Sequence, residues 1–259
     1  ENFVWDNIAD TALSFKEREA LIGQPRTLLV AAAKNLRLTD AENDISKGSE
    51  LAEIVLYGLM RHKYGALPVV PKIFYKQNVQ DNAKGADSVH IVITSEERFT
   101  IWFGEAKFYN SIEDARLNGI VESVRNSLST DKLKKENSII VNLPELNHID
   151  IPDKLRERIM SSLTNNNSID QIKPLIHIPI LLLHECEFTA NATETTEDYI
   201  QGIVSHHKER AFSYFAKQAK ALKDIFKYGE VTFHLILFPV PKKEPIVDKF
   251  VKDVAHFKG

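Results

Sequence analysis

From Gly85 to Tyr109 the chain reads GADSVHIVITSEERFTIWFGEAKFY, and no other stretch restricts the possible folds as much. One arm carries Asp87, Val89, Ile91 and Ile93 at alternate positions. The other carries Phe99, Ile101, Phe103, Glu105 and Lys107. Ser95, Glu96, Glu97 and Arg98 between them form a turn, so the period of two predicts a β-hairpin. A slip of one residue would send one arm's apolar set to the opposite face, which selects the register pairing Val89 with Phe103, Ile91 with Ile101 and Ile93 with Phe99.

That register sets Asp87 opposite Glu105, with Cβ atoms about 4.5–5.5 Å apart, and Lys107 follows on the same face. E-x-K is by itself a short pattern, common on solvent-facing strand edges. Here, however, Glu105 and Lys107 continue the parity of Ile101 and Phe103, and charges on a core-facing parity need a reason. Two carboxylates this close repel each other unless a cation or a proton lies between them. An oxygen-lined pair suits a hard divalent ion such as Mg²⁺, which keeps several waters and takes only one or two protein carboxylates; Mn²⁺ is a possible substitute. Lys107 is then placed to steady the attacking water or the phosphate that it attacks.

The rest of the chain limits the setting. A single cysteine, Cys186, excludes an intrachain disulfide and fits a reducing cytoplasm. The opening ENFVWDNIAD has neither the basic start nor the apolar run of a signal peptide. The greasiest segment, Pro174 to Leu183, is too short for a bilayer, so no membrane role is expected. The net charge of −3 lacks the basic footprint of a stand-alone DNA-binding domain, so DNA must be held by a local patch or delivered by a partner. No Gly-rich phosphate loop occurs, which excludes a nucleotide cofactor in this chain.

In chain order, residues from about Asp10 to Leu38 read as two helical pieces broken at Pro25. Ser46 to Lys63 is a strong helix whose stripe of Leu51, Ile54, Val55 and Leu59 is extended by Leu56 and Met60. Its carboxylates are Glu50 and Glu53, and Glu53 lies nearer the buried side. Leu67 to Tyr75 reads as a short strand entered through prolines, and Gln77 to Lys84 as a polar loop. Ser111 to Leu128 is a helix with Ser111 as N-cap, carrying Arg116 and Arg125. The β-branched run Ser138 to Leu143 is the next strand, followed by a helix at Ile151 to Leu163 and an Asn-rich loop at Thr164 to Asn167. Ile176 to Phe188 and Glu230 to Val240 read as buried strands, with a long helix within Glu194 to Tyr228 and a closing helix from Ile246 to Phe257. His184, Glu185 and Cys186 read as a structural strand end, and the adjacent His206 and His207 diverge on their helix.

The hairpin with Asp87 and Glu105-x-Lys107, preceded by an acidic helix, resembles the PD-(D/E)xK nuclease superfamily. Gly85-Ala86-Asp87 replaces the literal Pro-Asp of that name. The order helix, three strands, helix, strand matches the superfamily's αβββαβ core. The implied fold is α/β (α+β): a restriction-endonuclease-like mixed central sheet flanked by helices, with added terminal elements. Residues 1–45 would be an N-terminal helical segment, 46–145 the nuclease core and 146–259 a C-terminal extension on the same sheet, one domain overall. The resemblance implies metal binding by Asp87 and Glu105, activation or positioning of water by Lys107, and a supporting helix carboxylate, Glu53.

More narrowly, Ser49-Glu50-Leu51-Ala52-Glu53, Gly85-Ala86-Asp87 and Gly104-Glu105-Ala106-Lys107-Phe108-Tyr109 resemble the HamA family, effector subunits of the Hachiman anti-phage defence system. That resemblance implies a Mg²⁺-dependent DNA endonuclease of low sequence specificity, located in the bacterial cytoplasm and held or activated by a partner helicase, HamB. The alternative is a nuclease-like adaptor that has lost catalysis and regulates the helicase. A site-specific restriction enzyme is a third reading, with no recognition domain evident to support it.

Overall fold

A computed structural model of the chain describes residues 2–38, 48–76, 85–142, 145–164 and 168–259. The polar loop expected at 77–84, positions 46–47 and 143, and the core of the Asn-rich loop, 165–167, lie outside the described residues. Five strands form one sheet in the order β1-β2-β3-β4-β5: β1 (Leu67–Val70), β2 (Ser88–Ser95), β3 (Arg98–Tyr109), β4 (Ile176–Glu185) and β5 (Thr232–Val240). The first three strands pair antiparallel, and β4 and β5 add in parallel beside β3. This is the mixed, helix-flanked sheet that the sequence predicts.

Helices cover both faces. Before the hairpin come α1 (Asn2–Ala12), α2 (Phe15–Ala20), α3 (Pro25–Lys34), α4 (Ser49–Tyr64) and α5 (Lys72–Lys76). Between β3 and β4 lie α6 (Asp114–Ser127), α7 (Thr130–Asn142), α8 (Glu145–His148), α9 (Asp153–Leu163) and α10 (Ile169–Ile172). Then follow α11 (Glu187–Asn191), α12 (Glu197–Leu222) and α13 (Lys243–Lys258).

The alternation of the central strands feeds two cores. Val89, Ile91, Phe99, Ile101 and Phe103 pack with Leu117, Ile120 and Val124 of α6, Leu133 of α7, Ile159 of α9 and Tyr214 of α12. On the other face Trp102, Ala106 and Phe108 pack with Ile54, Leu56 and Met60 of α4, Ile8 of α1 and Val247 of α13. With both faces covered, β4 is apolar at nearly every position, and its odd and even residues enter different cores. Helix α4 stops where Gly65 takes a left-handed backbone (φ 58°) and the Ala66 N–H returns to the Met60 carbonyl.

Four expectations need correction. Ser138 to Leu143 is not a strand: its described part is the end of α7. Leu133, Glu136, Asn137 and Ile140 are buried at helical spacing, so the period begun at Thr130 runs on and overrides the β propensity of Ile139, Ile140 and Val141. The strand that follows α6 in the sheet is therefore β4, which comes only after α7 to α10. Helix α6 is preceded by Glu113, not Ser111, and has no side-chain cap at that position. The Leu67–Tyr75 strand ends at Val70, and α5 takes over after Pro71. Finally, β5 is half-buried, with Phe238 45% exposed, because it is an edge strand with one neighbour.

Candidate active site

The hairpin forms in the predicted register: Val89 faces Phe103, Ile91 faces Ile101 and Ile93 faces Phe99. Pairing continues to Ser88 and Gly104, and the Asp87 N–H still donates to the Gly104 carbonyl (2.7 Å). There the side chain takes over from the main chain. The Ala106 N–H donates to Asp87 Oδ2 (3.0 Å), which fixes this carboxylate beside the end of β3.

Three charged groups meet at that point. Lys107 Nζ lies 2.6 Å from Glu105 Oε1 and 3.4 Å from Asp87 Oδ2. Glu105 is 7% exposed and receives a second hydrogen bond, from Ser123 Oγ on α6 (2.6 Å). Burial and the charge of Asp87 push the Glu105 carboxyl above its ordinary pKa, against the opposing pull of Lys107 and Ser123. For Lys107, burial alone would favour the neutral amine, but the two carboxylates outweigh it and hold the ammonium charged well above its ordinary pKa. The site thus stores two negative charges around one cation. Lys107 is in this arrangement a fixed positive charge, not a proton acceptor.

The fit to a divalent metal follows from the same geometry. The two carboxylates converge closely enough to share a single cation, and the donor set is hard oxygen, as Mg²⁺ requires. The helix carboxylates are placed differently. Glu50 is engaged elsewhere: its two oxygens accept the N–H groups of Arg37 and Leu38, each at 2.9 Å. Glu53 is buried on α4, which packs on the sheet face opposite the Asp87–Glu105–Lys107 cluster. Among the described residues no three His, Cys, Asp or Glu side chains stand together as a metal cluster, so Asp87, Glu105 and Glu53 are not preassembled as a three-ligand set.

Two neighbours were not foreseen from the sequence. Ser123 lies three residues after Ile120 and beside Val124, at the margin of the buried stripe of α6, and that position is its only sequence signal. Tyr214 of α12 lies in the core on the same face; it is fully buried, and its hydroxyl is held above the ordinary range first by burial, with the electrostatic effects of Tyr228 and Glu105 in the same direction. Of the two arginines of α6, Arg116 lies over the Tyr109 ring (5.7 Å) and Arg125 donates to the Ala221 carbonyl.

The histidine-rich strand end meets the histidines of α12. His184 Nδ1 is 2.9 Å from the Glu185 carbonyl and its Nε2 is 3.0 Å from His207 Nε2, while Glu185 Oε1 accepts the Lys243 N–H at the start of α13 (2.7 Å). Among the described residues no helix is long and apolar enough to cross a membrane. No curated protein matches the chain. A family model described as HamA matches residues 1–254 of the 259, and the chain belongs to the HamA family, whose role lies in Hachiman defence.

Proposed function

We propose that this chain is the nuclease effector of its defence system: a Mg²⁺-dependent, cytoplasmic DNA endonuclease of low sequence specificity, restrained or triggered by the helicase HamB. The observation that carries this reading is the convergence of Asp87, Glu105 and Lys107 on one buried-to-open corner of the sheet. Such an arrangement has no evident use in packing. It concentrates repulsion in a place where apolar residues would have been easier to bury.

Asp87 and Glu105 are the metal ligands in this reading, and two carboxylates suffice for an ion that keeps much of its water. Glu53, expected from the sequence as the supporting helix carboxylate, is buried with α4 on the other face of the sheet and is given no part at the metal in this reading. When bound, the ion supplies Lewis-acid polarisation of the scissile phosphate. The protein's own groups do the rest. The Ala106 N–H holds Asp87 in place and Ser123 holds Glu105. Lys107, an ammonium beside both carboxylates, would orient the attacking water and offset charge that develops on the phosphate. The chain's near-neutral balance fits a division of labour in which the helicase gathers DNA.

The test is cleavage of supercoiled and linear DNA with Mg²⁺ or with EDTA, with and without the helicase. Cutting that needs the metal and is lost in the Glu105→Ala, Lys107→Ala double variant, with helicase binding retained, is the expected result. Undiminished cutting in that variant would end the proposal. Absence of cutting by the wild-type chain in every condition, helicase included, would favour the adaptor reading.

A further inference from the structure

Asp87 is held from the β3 side by the two main-chain contacts described above, and a second device grips the residues just before it. Glu136 of α7 directs its carboxylate at the Gly85-Ala86 segment. Its Oε1 accepts the Ala86 N–H (3.0 Å), and Lys72 of α5 donates to both oxygens, at 3.0 Å to Oε1 and 2.7 Å to Oε2. Lys72 and Glu136 are 2% and 3% exposed, so this is an ion pair taken out of water. The fit around Gly85 is close: a Cβ there would lie 1.7 Å from Glu136 Oε1. Glycine precedes Ala86 because the carboxylate occupies the space of a side chain. The Gly-x-Asp entry and a glutamate fifty residues later are therefore parts of one construction.

A buried ion pair is a weak way to gain stability, since an apolar pair of the same shape is often as good or better. Its use has to be sought in what it holds. We infer that Glu136 and Lys72 are positioning residues for the metal site: they clamp the main chain at Ala86 from one side while β3 clamps Asp87 from the other, which fixes where the Asp87 carboxylate stands. Neither residue touches the reacting atoms. Their effect is transmitted through the backbone of residues 85–87, in the way that outer partners orient ligands in metal sites generally. The inference rests on the nuclease reading for the purpose of the clamp, though not for its existence.

The experiment separates the charge of the pair from its grip. Lys72→Met with Glu136→Gln removes both charges but keeps an oxygen acceptor for the Ala86 N–H. Lys72→Met with Glu136→Leu removes the acceptor as well and leaves a neutral, apolar pair that can fold. Each is compared with wild type by calorimetric titration with Mn²⁺ or Mg²⁺ alone, by the Mg²⁺ midpoint of DNA cleavage, and by hydrogen exchange at the Ala86 and Asp87 amides. The Leu pair is expected to lose amide protection and to weaken metal binding about tenfold or more. The Gln pair is expected to restore both toward wild type. Equal protection and equal metal midpoints in the Leu pair and the wild type would overturn the inference. If wild type neither binds metal nor cuts DNA, the nuclease reading fails by itself, and amide exchange still decides whether the clamp exists.

Discussion

His90 sits in β2, three residues from Asp87, and gives the fold a pH dependence that can be worked out from its surroundings. It is fully buried, its ring lies 4.7 Å from that of Tyr57, and neither ring nitrogen has a hydrogen-bond partner among the described residues. Burial therefore pulls its pKa from 6.5 down to about 3. Well above pH 6.5 the ring is neutral in both folded and unfolded chains and stability does not depend on it. Below pH 6.5 the unfolded chain takes up a proton that the folded chain refuses, so stability falls with pH until the folded value is reached. From pH 7.5 to 5.0 the loss comes to about 2 kcal/mol for this one group. Urea unfolding of wild type and of His90→Leu at those two pH values measures it, because the pH-independent packing change and all other titrating groups cancel in the double difference. The variant should lose about 2 kcal/mol less than wild type between the two conditions. Identical pH dependence in the two proteins would refute the assignment of a neutral, partnerless imidazole at this position.

Two further outcomes follow from contacts at the site. Ser123→Ala removes the 2.6 Å donor that helps to keep Glu105 ionised, so the Glu105 pKa should rise and the acidic limb of the cleavage pH profile should move to higher pH. Gly104→Ala would put a Cβ 2.2 Å from Ser88 Oγ and 2.7 Å from Leu56 Cδ2, so both side chains must shift within a packed core. A cost of about 1–3 kcal/mol in urea unfolding is expected from such overpacking, together with reduced cleavage because Glu105 is the next residue.

The hairpin was legible because its information is local. Apolar pairs at Val89–Phe103 and Ile91–Ile101 admit one register, and the register alone carries Asp87 to Glu105 and Lys107. The contributions of Ser123, Glu136, Lys72 and Tyr214 were not legible, since each arrives on a helix whose docking depends on the whole sheet. The misread strand at Ser138 shows the same limit from the other side. Ile139, Ile140 and Val141 carry a β preference, and only the continuity of burial from Leu133 to Ile140 makes the segment helical. The helical wheel places Glu53 nearer the core than Glu50, and Glu53 is the buried one; what the wheel cannot show is the path of the preceding chain, which brings the amides of Arg37 and Leu38 onto the Glu50 carboxylate.

The strand lengths explain why charge collects at this corner. β3 runs to Tyr109, whereas its ladder with β2 ends at the Ser88–Gly104 pair. From Glu105 to Tyr109 the strand is paired, among the described residues, with β4 alone, which fixes its backbone while the place beside it is taken by the side chain of Asp87. Along the face that carries the site, exposure rises from 3% at Phe103 to 7% at Glu105 and 31% for the Lys107 side chain. One strand thus passes from core to solvent in two steps of its two-residue period. A carboxylate is kept in low dielectric, where repulsion from Asp87 makes a cation welcome. The ammonium stands at the mouth, where a phosphate would meet it first. A longer β2 would have paired these residues and buried them; a shorter β4 would have left them without a rigid support. The convergence of Asp87, Glu105 and Lys107 on which the proposed metal site rests therefore follows from an offset between neighbouring strands, and Glu136 and Lys72 grip the residues where that offset begins.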